Sequence, residues 1–138
     1  MAKGGLMEVK VSWHEGMRFI GVGPSKHAVV MDTDAAGGEG TGPRPVELML
    51  IALGGCTAMD AVAILNKMRT PPRKLEITIQ AERNDEHPKF VRKVHLHYRA
   101  WGVPKENLER AAQLSQERYC SVSHSLKADL SFSVEALE

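Results

Sequence analysis

PVELMLIALGGCTAMDAVAILNKM, residues 45–68, is apolar on nearly every side when it is drawn as a helix. Pro45 suits the first turn of a helix, Glu47 complements the positive end of the helix dipole, and Thr70-Pro71-Pro72 ends the pattern. A helix that is hydrophobic all round is buried all round. One domain of this size rarely covers such a helix by itself, so we expect either a sheet wrapped around it or a second subunit against it.

The length and composition indicate one ordinary globular domain. The chain has 138 residues, of which 43% are apolar and 25% are charged, and a disordered chain would be less apolar. The 18 Lys and Arg exceed the 17 Asp and Glu by one. Constitutive nucleic-acid binders normally carry a basic face of clustered Lys and Arg, so the near-neutral balance argues against that class.

No membrane or targeting segment is predicted. Only 12 uncharged residues, Leu48–Met59, lie between Glu47 and Asp60, whereas a membrane span needs about 18. Residues 1–11 contain no apolar run followed by a cleavage pattern. We therefore expect a soluble, cytoplasmic protein with neither nucleic acid nor membrane as a partner, in a compartment where persistent structural disulfides are rare.

Three short strands are predicted before the long helix. Residues 8–13 alternate between apolar and polar, which is typical of a half-buried strand, and residues 18–22 return after a turn. Residues 27–31 form a third short strand. Four glycines and two prolines between Gly37 and Pro45 then predict a loop.

Two strands, a helix and a last strand are predicted after it. Residues 75–84 and 94–100 alternate cleanly. Pro104 opens a helix whose apolar face has helical spacing, a short last helix reaches Lys127, and residues 130–134 form the final strand; that face consists of Leu108, Ala111, Ser115 and Tyr119. The order βββ–α–ββ–α–β defines one α+β domain over residues 1–138, with a hairpin region at 1–34 and a main body at 45–138.

The chain has two cysteines, too few for a disulfide scaffold or a four-cysteine zinc site. Cys56 follows Gly54 and Gly55, and each glycine inside a helix costs about 1 kcal/mol relative to alanine. The pair of glycines therefore indicates that another backbone or a substrate approaches the helix closely at this point. If the glycines also break the helix, Cys56 lies at a new helix N-terminus, which lowers the pKa of a thiol. The alternative is that Cys56 is a small core residue.

Cys120 follows a helix and precedes two serines, a setting in which backbone donors stabilise a thiolate. His124 lies four residues further on and is a candidate local base, with an exposed surface histidine as the alternative. A Cys56–Cys120 bridge requires the two Cα atoms to lie within about 7 Å. The sequence alone does not determine that distance.

Two weaker motifs are set aside. His95 and His97 share one strand face and offer two metal ligands, but His87 or an acid has no spacing that supports a third, so a solvated polar face is favoured and no metal site is predicted. The run Gly37–Gly40 has the G-x-x-G spacing of KH-type RNA binders, but its insert is acidic and its flanks are strands.

The segments Pro45–Asp60 and Arg118–Ser123 resemble the OsmC/Ohr family, and within it the YhfA-like branch. Three further segments support the resemblance, namely Trp13–Val22, Glu86–Lys89 and His95–Tyr98. Together, the matching segments follow the order found in the family along nearly the whole chain. The resemblance implies an intertwined α+β homodimer in which sheets wrap two long central helices. It also implies that the site lies at the subunit interface and that the two cysteines of each chain meet there.

The function implied by the resemblance is a thiol-dependent peroxidase for organic hydroperoxides, acting in oxidative and osmotic stress defence. Cys56 matches the cysteine that becomes a sulfenic acid, and Cys120 matches the one that resolves it. No bound cofactor is implied, only an external thiol or dithiol reductant. Arg18 matches the family's hairpin arginine and Glu47 is the carboxylate near the start of the helix that would hold it. The substrate pocket is expected from Leu48, Ile51 and Met59 with their partner-chain counterparts.

One position departs from the family pattern. Peroxidase members carry a glutamate ten residues before the first cysteine, where this chain has Val46. Glu47 is one step away, which rotates a helical side chain by about 100°. Two other hypotheses are therefore kept: a non-catalytic protein that binds a small hydrophobic ligand on the same fold, and a thiol-transfer or thioesterase-like activity of Cys120 with His124.

Overall fold

The computed structural model describes residues 5–138, so the first four residues of the predicted hairpin region lie outside the described part of the chain. The elements run in this order: β1 Lys10–Glu15, β2 Arg18–Val22, β3 Ala28–Met31, α1 Pro45–Lys67, β4 Lys74–Arg83, β5 Val91–Trp101, α2 Lys105–Leu114, a π-helical turn Ser115–Tyr119, α3 Ser121–Ser125 and β6 Asp129–Leu137. The predicted α+β order is confirmed, and the short last helix is α3. The described residues form two compact units, with the boundary between Met49 and Leu50, inside α1.

The first unit contains an antiparallel sheet in the order β1-β2-β3. The strands β1 and β2 pair from Lys10 opposite Val22 to Glu15 opposite Arg18, around a turn in which Gly16 has φ +57°. The prediction of a half-buried β1 is wrong for the isolated chain, because Trp13 on its apolar face is 67% exposed. Alternation places those side chains on one face but does not supply a surface to cover them.

A loop after β3 is tied down by Asp32. Its buried carboxylate accepts hydrogen bonds from the Thr41 hydroxyl at 2.6 Å, from the Thr41 backbone N–H at 3.0 Å and from the Thr33 N–H at 2.7 Å. Gly38 passes so close to this region that a Cβ there would lie 1.9 Å from the Thr33 carbonyl oxygen. Gly38 is therefore needed for close packing of the loop.

Helix α1 is continuous from Pro45 to Lys67. Its buried residues recur every fourth position and form one face, which consists of Leu53, Thr57, Ala61 and Leu65. Ile51 and Met59 are 56% and 75% exposed. The prediction of burial on every side is therefore not met within one chain. By length and composition alone α1 also suffices to cross a membrane, a test that core helices of soluble proteins pass as well.

The second unit contains a sheet in the order β4-β5-β6. Strand β5 pairs antiparallel with β4 and parallel with β6, and α2 lies in the connection that the parallel pairing requires. The alternation predicted for β5 is confirmed, since one face is buried; it consists of Val94, Leu96, Tyr98 and Ala100. Tyr98 reaches Thr57 of α1, so this face of the sheet packs against the helix.

The predicted second helix changes its geometry before it ends. Leu108, Ala111 and Ser115 are fully buried as expected, but Tyr119 is 50% exposed. The π-helical turn Ser115–Tyr119 carries hydrogen bonds of the i→i+5 type, as between the Cys120 N–H and the Ser115 carbonyl at 2.8 Å. The extra residue in this turn moves Tyr119 off the apolar face and leaves Cys120 buried there.

Candidate functional site

The two cysteines and one aspartate meet in the second unit. The sulfur atoms of Cys56 and Cys120 and a carboxylate oxygen of Asp60 all lie within 4.8 Å of one another. Both cysteines are free thiols. The two thiols therefore lie close together without a bond between them, and Asp60 joins them as a third group. By donor chemistry these three side chains are also the described residues that suit a soft or borderline metal ion.

Helix α1 supplies two of the three groups. Cys56 and Asp60 are four residues apart, so they lie on the same face of an unbroken helix. Asp60 was missed as a site residue, although this spacing was visible in the sequence. The idea that the glycines break the helix is wrong, because α1 runs through Gly54 and Gly55. Cys56 is thus in the middle of a helix and away from the unpaired N–H groups of a helix N-terminus.

The two glycines before Cys56 have different surroundings. A Cβ on Gly54 would lie 2.7 Å from Cδ1 of Ile79, whereas a Cβ on Gly55 would meet nothing within 4 Å. Gly54 therefore leaves room for the Ile79 side chain of β4, whereas the sequence predicted the approach of a backbone or a substrate. Gly55 has no such packing reason within the described chain.

Cys120 reaches the site through the π-helical turn and is fully buried. It is the N-cap residue of α3, and its sulfur accepts a hydrogen bond from the Ser123 N–H at 3.4 Å. Burial raises the pKa of the Cys120 thiol, the Ser123 hydrogen bonds oppose that rise, and the neighbouring Cys56 adds to it. The protonated thiol is therefore favoured at Cys120.

A chain of buried hydroxyl groups ends at Asp60. The Ser115 hydroxyl donates to Asp60 Oδ2 at 2.9 Å, so its oxygen accepts from Thr57, which lies 2.9 Å away. Because the Thr57 hydroxyl donates its single proton to Ser115, its oxygen accepts a hydrogen bond from the Tyr98 hydroxyl. Burial raises the pKa of Tyr98, so its hydroxyl keeps this proton. The order of donors runs Tyr98, Thr57, Ser115, Asp60 and fixes the position of the carboxylate.

Gln116 completes this hydroxyl chain from the side. Its Nε2 donates to the Tyr98 oxygen at 2.8 Å and also to Thr57. Its buried Oε1 has no hydrogen-bond partner among the described residues. No sequence motif marked these polar residues, because they come from three elements and meet only in the fold.

His124 does not contact the Cys120 sulfur as a base would. Its Nδ1 donates to the Cys120 carbonyl oxygen at 2.9 Å, and its side chain is exposed. The alternative of an exposed surface histidine describes it better. This contact removes the structural argument for a Cys120–His124 thioesterase-like pair.

Arg18 is held within the first unit by groups other than Glu47. Its guanidinium pairs with Glu39 at 3.1 Å, donates to Thr41 at 3.0 Å and lies 4.0 Å from Asp32. Glu47 is exposed and is not among these partners. Glu39 comes from the glycine-rich loop, whose path no periodicity predicts. The expectation that Glu47 holds Arg18 is thus corrected to Glu39 and Asp32.

The expected pocket residues differ in exposure. Leu48, in the first unit, is half-buried, whereas Ile51 and Met59, in the second, are exposed. Met59 lines an open groove of about 630 Å³ together with Val62 and the segment Pro71–Leu75. Arg73 and Lys74 of that segment add charged groups to the apolar lining of the groove.

His95 and His97 belong to β5, and their side chains hydrogen-bond with side chains of the neighbouring strand β6. His95 contacts Ser131 at 2.7 Å and Ser133 at 2.8 Å, while His97 contacts Ser133 at 2.6 Å and Glu135 at 3.2 Å. Among the described residues, neither histidine belongs to a group of three metal-ligating side chains. The hydrogen bonds to Ser131, Ser133 and Glu135 fit the interpretation of a polar strand face.

The chain is similar to known proteins along most of its length. A sequence model of the family described as OsmC-like protein matches residues 38–135. Protein YhfA of Escherichia coli strain K12 is 37% identical over 119 residues, which cover 85% of this chain and 87% of YhfA.

Solved structures share the fold. A crystal structure of a hypothetical protein from Aquifex aeolicus VF5 has a TM-score of 0.80 at 28% identity and covers 97% of this chain and 99% of that one. An OsmC-like protein from Mycoplasma pneumoniae has a TM-score of 0.82 at 12% identity, covering 99% and 100% of the two chains. The organic hydroperoxide resistance protein OhrB of Bacillus subtilis has a TM-score of 0.63 at 13% identity, covering 97% and 99%. With its family match, its similarity to YhfA and its shared fold, the chain belongs to the OsmC-like protein family.

Proposed function

We propose that this protein is a thiol-dependent peroxidase that reduces organic hydroperoxides in oxidative and osmotic stress defence. The observation that carries the proposal is the proximity of the two free thiols, whose sulfur atoms lie within 4.8 Å of each other. Structural neighbours that are organic hydroperoxide resistance proteins, such as OhrB of Bacillus subtilis, support the choice of substrate class.

The cycle starts at Cys56 because the two thiols differ in access. Cys56 is half-buried, whereas Cys120 is fully buried and burial raises the pKa of its thiol. Only the thiolate is an effective nucleophile, and a peroxide must reach it from solvent. Cys56 is therefore the attacking residue and Cys120 the resolving one.

The steps balance without a bound cofactor. The Cys56 thiolate attacks the distal peroxide oxygen, the O–O bond breaks, and the alkoxide takes a proton to leave as an alcohol. Cys120 then attacks the sulfur of the Cys56 sulfenic acid, water leaves, and a disulfide forms. An external thiol or dithiol supplies the two electrons that restore both thiols.

Arg18 is proposed to stabilise the thiolate and the peroxide oxygens, as a charge-assisted donor can. Glu39 and Asp32 are the groups that hold its guanidinium, so they take the positioning role first assigned to Glu47. Leu48, Ile51 and Met59 are proposed to give the pocket its preference for organic peroxides over hydrogen peroxide.

The exposed apolar side chains of α1 support a homodimer. Ile51 and Met59 are large and apolar, and a soluble monomer rarely leaves a contiguous apolar surface uncovered. A second copy against α1 would complete the core and place the site at the subunit interface. In a cytoplasmic dimer the apolar composition of α1 then serves as a subunit core and not as a membrane span.

The decisive experiment follows the thiols after one equivalent of cumene hydroperoxide. Mass spectrometry of the reduced protein is expected to show rapid formation of a Cys56–Cys120 disulfide. Cys120→Ser is expected to accumulate a Cys56 sulfenic acid that dimedone traps, whereas Cys56→Ser is expected to lose peroxide consumption. A Cys56→Ser protein that consumed the peroxide at the parent rate would eliminate the mechanism.

A non-catalytic ligand-binding protein is the second candidate. Val46 at the family's glutamate position and the apolar groove beside Met59 favour it. Such a protein would not form the disulfide rapidly, and it would bind a fluorescent apolar probe equally well in parent and Cys56→Ser forms. Disulfide formation and probe binding, measured on the parent and Cys56→Ser proteins, therefore distinguish the two candidate functions.

A further inference from the structure

We propose that the reduced protein binds a thiophilic divalent cation of the zinc class through Cys56, Asp60 and Cys120. The three donor atoms lie within 4.8 Å of one another. Zinc bonds of about 2.3 Å to sulfur and about 2.0–2.2 Å to carboxylate oxygen place tetrahedral ligand atoms about 3.5–3.8 Å apart. The 4.8 Å limit exceeds these spacings by about 1 Å, so small side-chain rotations would bring the three atoms into one coordination shell.

The donor chemistry selects the class of ion. Thiolate sulfur prefers zinc and other soft or borderline ions, whereas magnesium and calcium require oxygen ligands. Two sulfurs and one carboxylate oxygen therefore favour a zinc-class cation. Coordination transfers no electrons, and the two thiol protons leave to solvent as the ion binds.

Two of the ligands are already oriented by outer contacts. Asp60 Oδ2 accepts from the Ser115 hydroxyl at 2.9 Å, which is itself fixed by Thr57. The Cys120 sulfur accepts from the Ser123 N–H at 3.4 Å. Hydrogen bonds of this kind orient metal ligands and contribute measurably to affinity.

The number of protein ligands indicates an exchangeable ion. Structural zinc sites are closed by four protein ligands, whereas sites with three keep one position for water or another small ligand. Cys56 and Asp60 are half-buried, so solvent reaches the cluster from their side. The cation is therefore expected to enter and leave with the fold intact.

One consequence rests on the proposed function. A cation bound to the Cys56 and Cys120 sulfurs occupies the electron pairs that attack the peroxide and the sulfenic acid. Cation binding and peroxide reduction are then mutually exclusive, and the ion holds the enzyme in a reduced, inactive state. Conversion of the pair to a disulfide removes both thiolate ligands and prevents binding.

The binding test uses Co²⁺ as a spectroscopic probe on the reduced full-length protein under anaerobic conditions. One Co²⁺ per chain is expected to give a thiolate-to-cobalt charge-transfer band that Zn²⁺ abolishes by displacement. Cys56→Ser and Cys120→Ser are each expected to weaken the band and the binding. Ser115→Ala removes only an outer contact and is expected to weaken binding by about 10–100-fold.

The matched variants are Asp60→Asn and Asp85→Asn. Asp60→Asn is expected to weaken binding at least as much as Ser115→Ala, whereas Asp85, an exposed carboxylate in the β4–β5 turn, is expected to have no effect. Alkylation of the thiols in the parent protein provides a test without any substitution. Absence of a charge-transfer band in the parent protein, or parent-like affinity after Asp60→Asn or alkylation, would overturn the site.

The failures of the two proposals are distinguishable. A protein that binds Co²⁺ through its thiols but never forms a sulfenic acid keeps the cation site and loses the peroxidase. A protein that forms the disulfide with peroxide but shows no cobalt–thiolate band keeps the peroxidase and loses the cation site.

Discussion

At the scale of single residues, Asp32 shows how one carboxylate organises a loop. Its three hydrogen bonds from Thr33 and Thr41, with Arg18 nearby, lower the pKa of this carboxyl to about 2. The Thr41 hydrogen bonds contribute most to this shift, and burial opposes it. The ionised form is therefore strongly preferred in the folded chain.

The stability that Asp32 provides is predicted to depend on pH. A carboxyl whose pKa is lower in the folded chain stabilises it above the unfolded pKa of about 4. That contribution is lost as the pH falls from about 4 towards 2, the folded pKa. Urea unfolding of the parent and Asp32→Asn should differ at pH 6 and converge near pH 2. A difference in stability that did not change over this range would contradict the assignment.

The site residues divide into those that the sequence revealed and those that it did not. Cys56 and Cys120 were identified from their neighbours and from the resemblance, and the structure brings them together. Asp60, Thr57 and Tyr98 were not identified, because a helix, a strand and a turn must pack before their polar atoms meet. Glu39 was missed for a related reason, since its loop follows packing and not a repeat.

At the scale of elements, the packing of α1 on β5 combines apolar burial with a polar contact. Thr57 lies fully buried between Tyr98 and Ser115 and exchanges hydrogen bonds with both. Valine has the same shape but no hydroxyl, so the buried Tyr98 O–H would lose its acceptor and the Ser115 oxygen would lose its donor. The energetic cost of an unsatisfied buried group exceeds the net gain of a typical hydrogen bond.

Thr57→Val is therefore predicted to destabilise the fold by about 1–3 kcal/mol. The matched control is Thr78→Val on β4, where the side chain is exposed and the expected change is within about 0.5 kcal/mol. Chemical denaturation monitored by circular dichroism measures both. Equal effects of the two substitutions would show that the buried hydroxyl chain does not contribute to stability.

Element prediction succeeded where the periodicity was regular. The alternation of residues 94–100 correctly predicted the buried face of β5, and the apolar run of residues 45–68 correctly predicted helix α1. It failed at Tyr119, because helical spacing assumes a constant rise and rotation and the π-helical turn changes both. The parallel pairing of β5 with β6 was also beyond reach, since alternation does not specify which neighbour a strand takes.

At the scale of the whole molecule, the question is what covers the exposed side of α1. Ile51 is 56% exposed although it lies in the most apolar segment of the chain. A second copy of the chain is the occupant that we propose. Burial of such side chains is the main favourable term in subunit association.

Ile51→Glu is predicted to shift the protein from dimer to monomer, because a charge would have to be desolvated in the interface. Lys67→Glu, at an exposed position in the last turn of the same helix, is the matched control and should leave the dimer intact. Sedimentation velocity of the three proteins measures the change. A parent protein that sediments as a monomer, or an Ile51→Glu dimer as tight as the parent, would refute the dimer.

The π-helical turn makes thiol chemistry depend on the number of residues as well as on their identity. Cys120 faces Cys56 because residues 115–119 contain one residue more than an α-helical path would use. Removing a single codon there would restore the α-helical path and rotate the following residue by about 100°. Both cysteines would remain in the gene, yet the pair would be separated. In evolutionary terms, a relative that retains both cysteines need not retain their proximity.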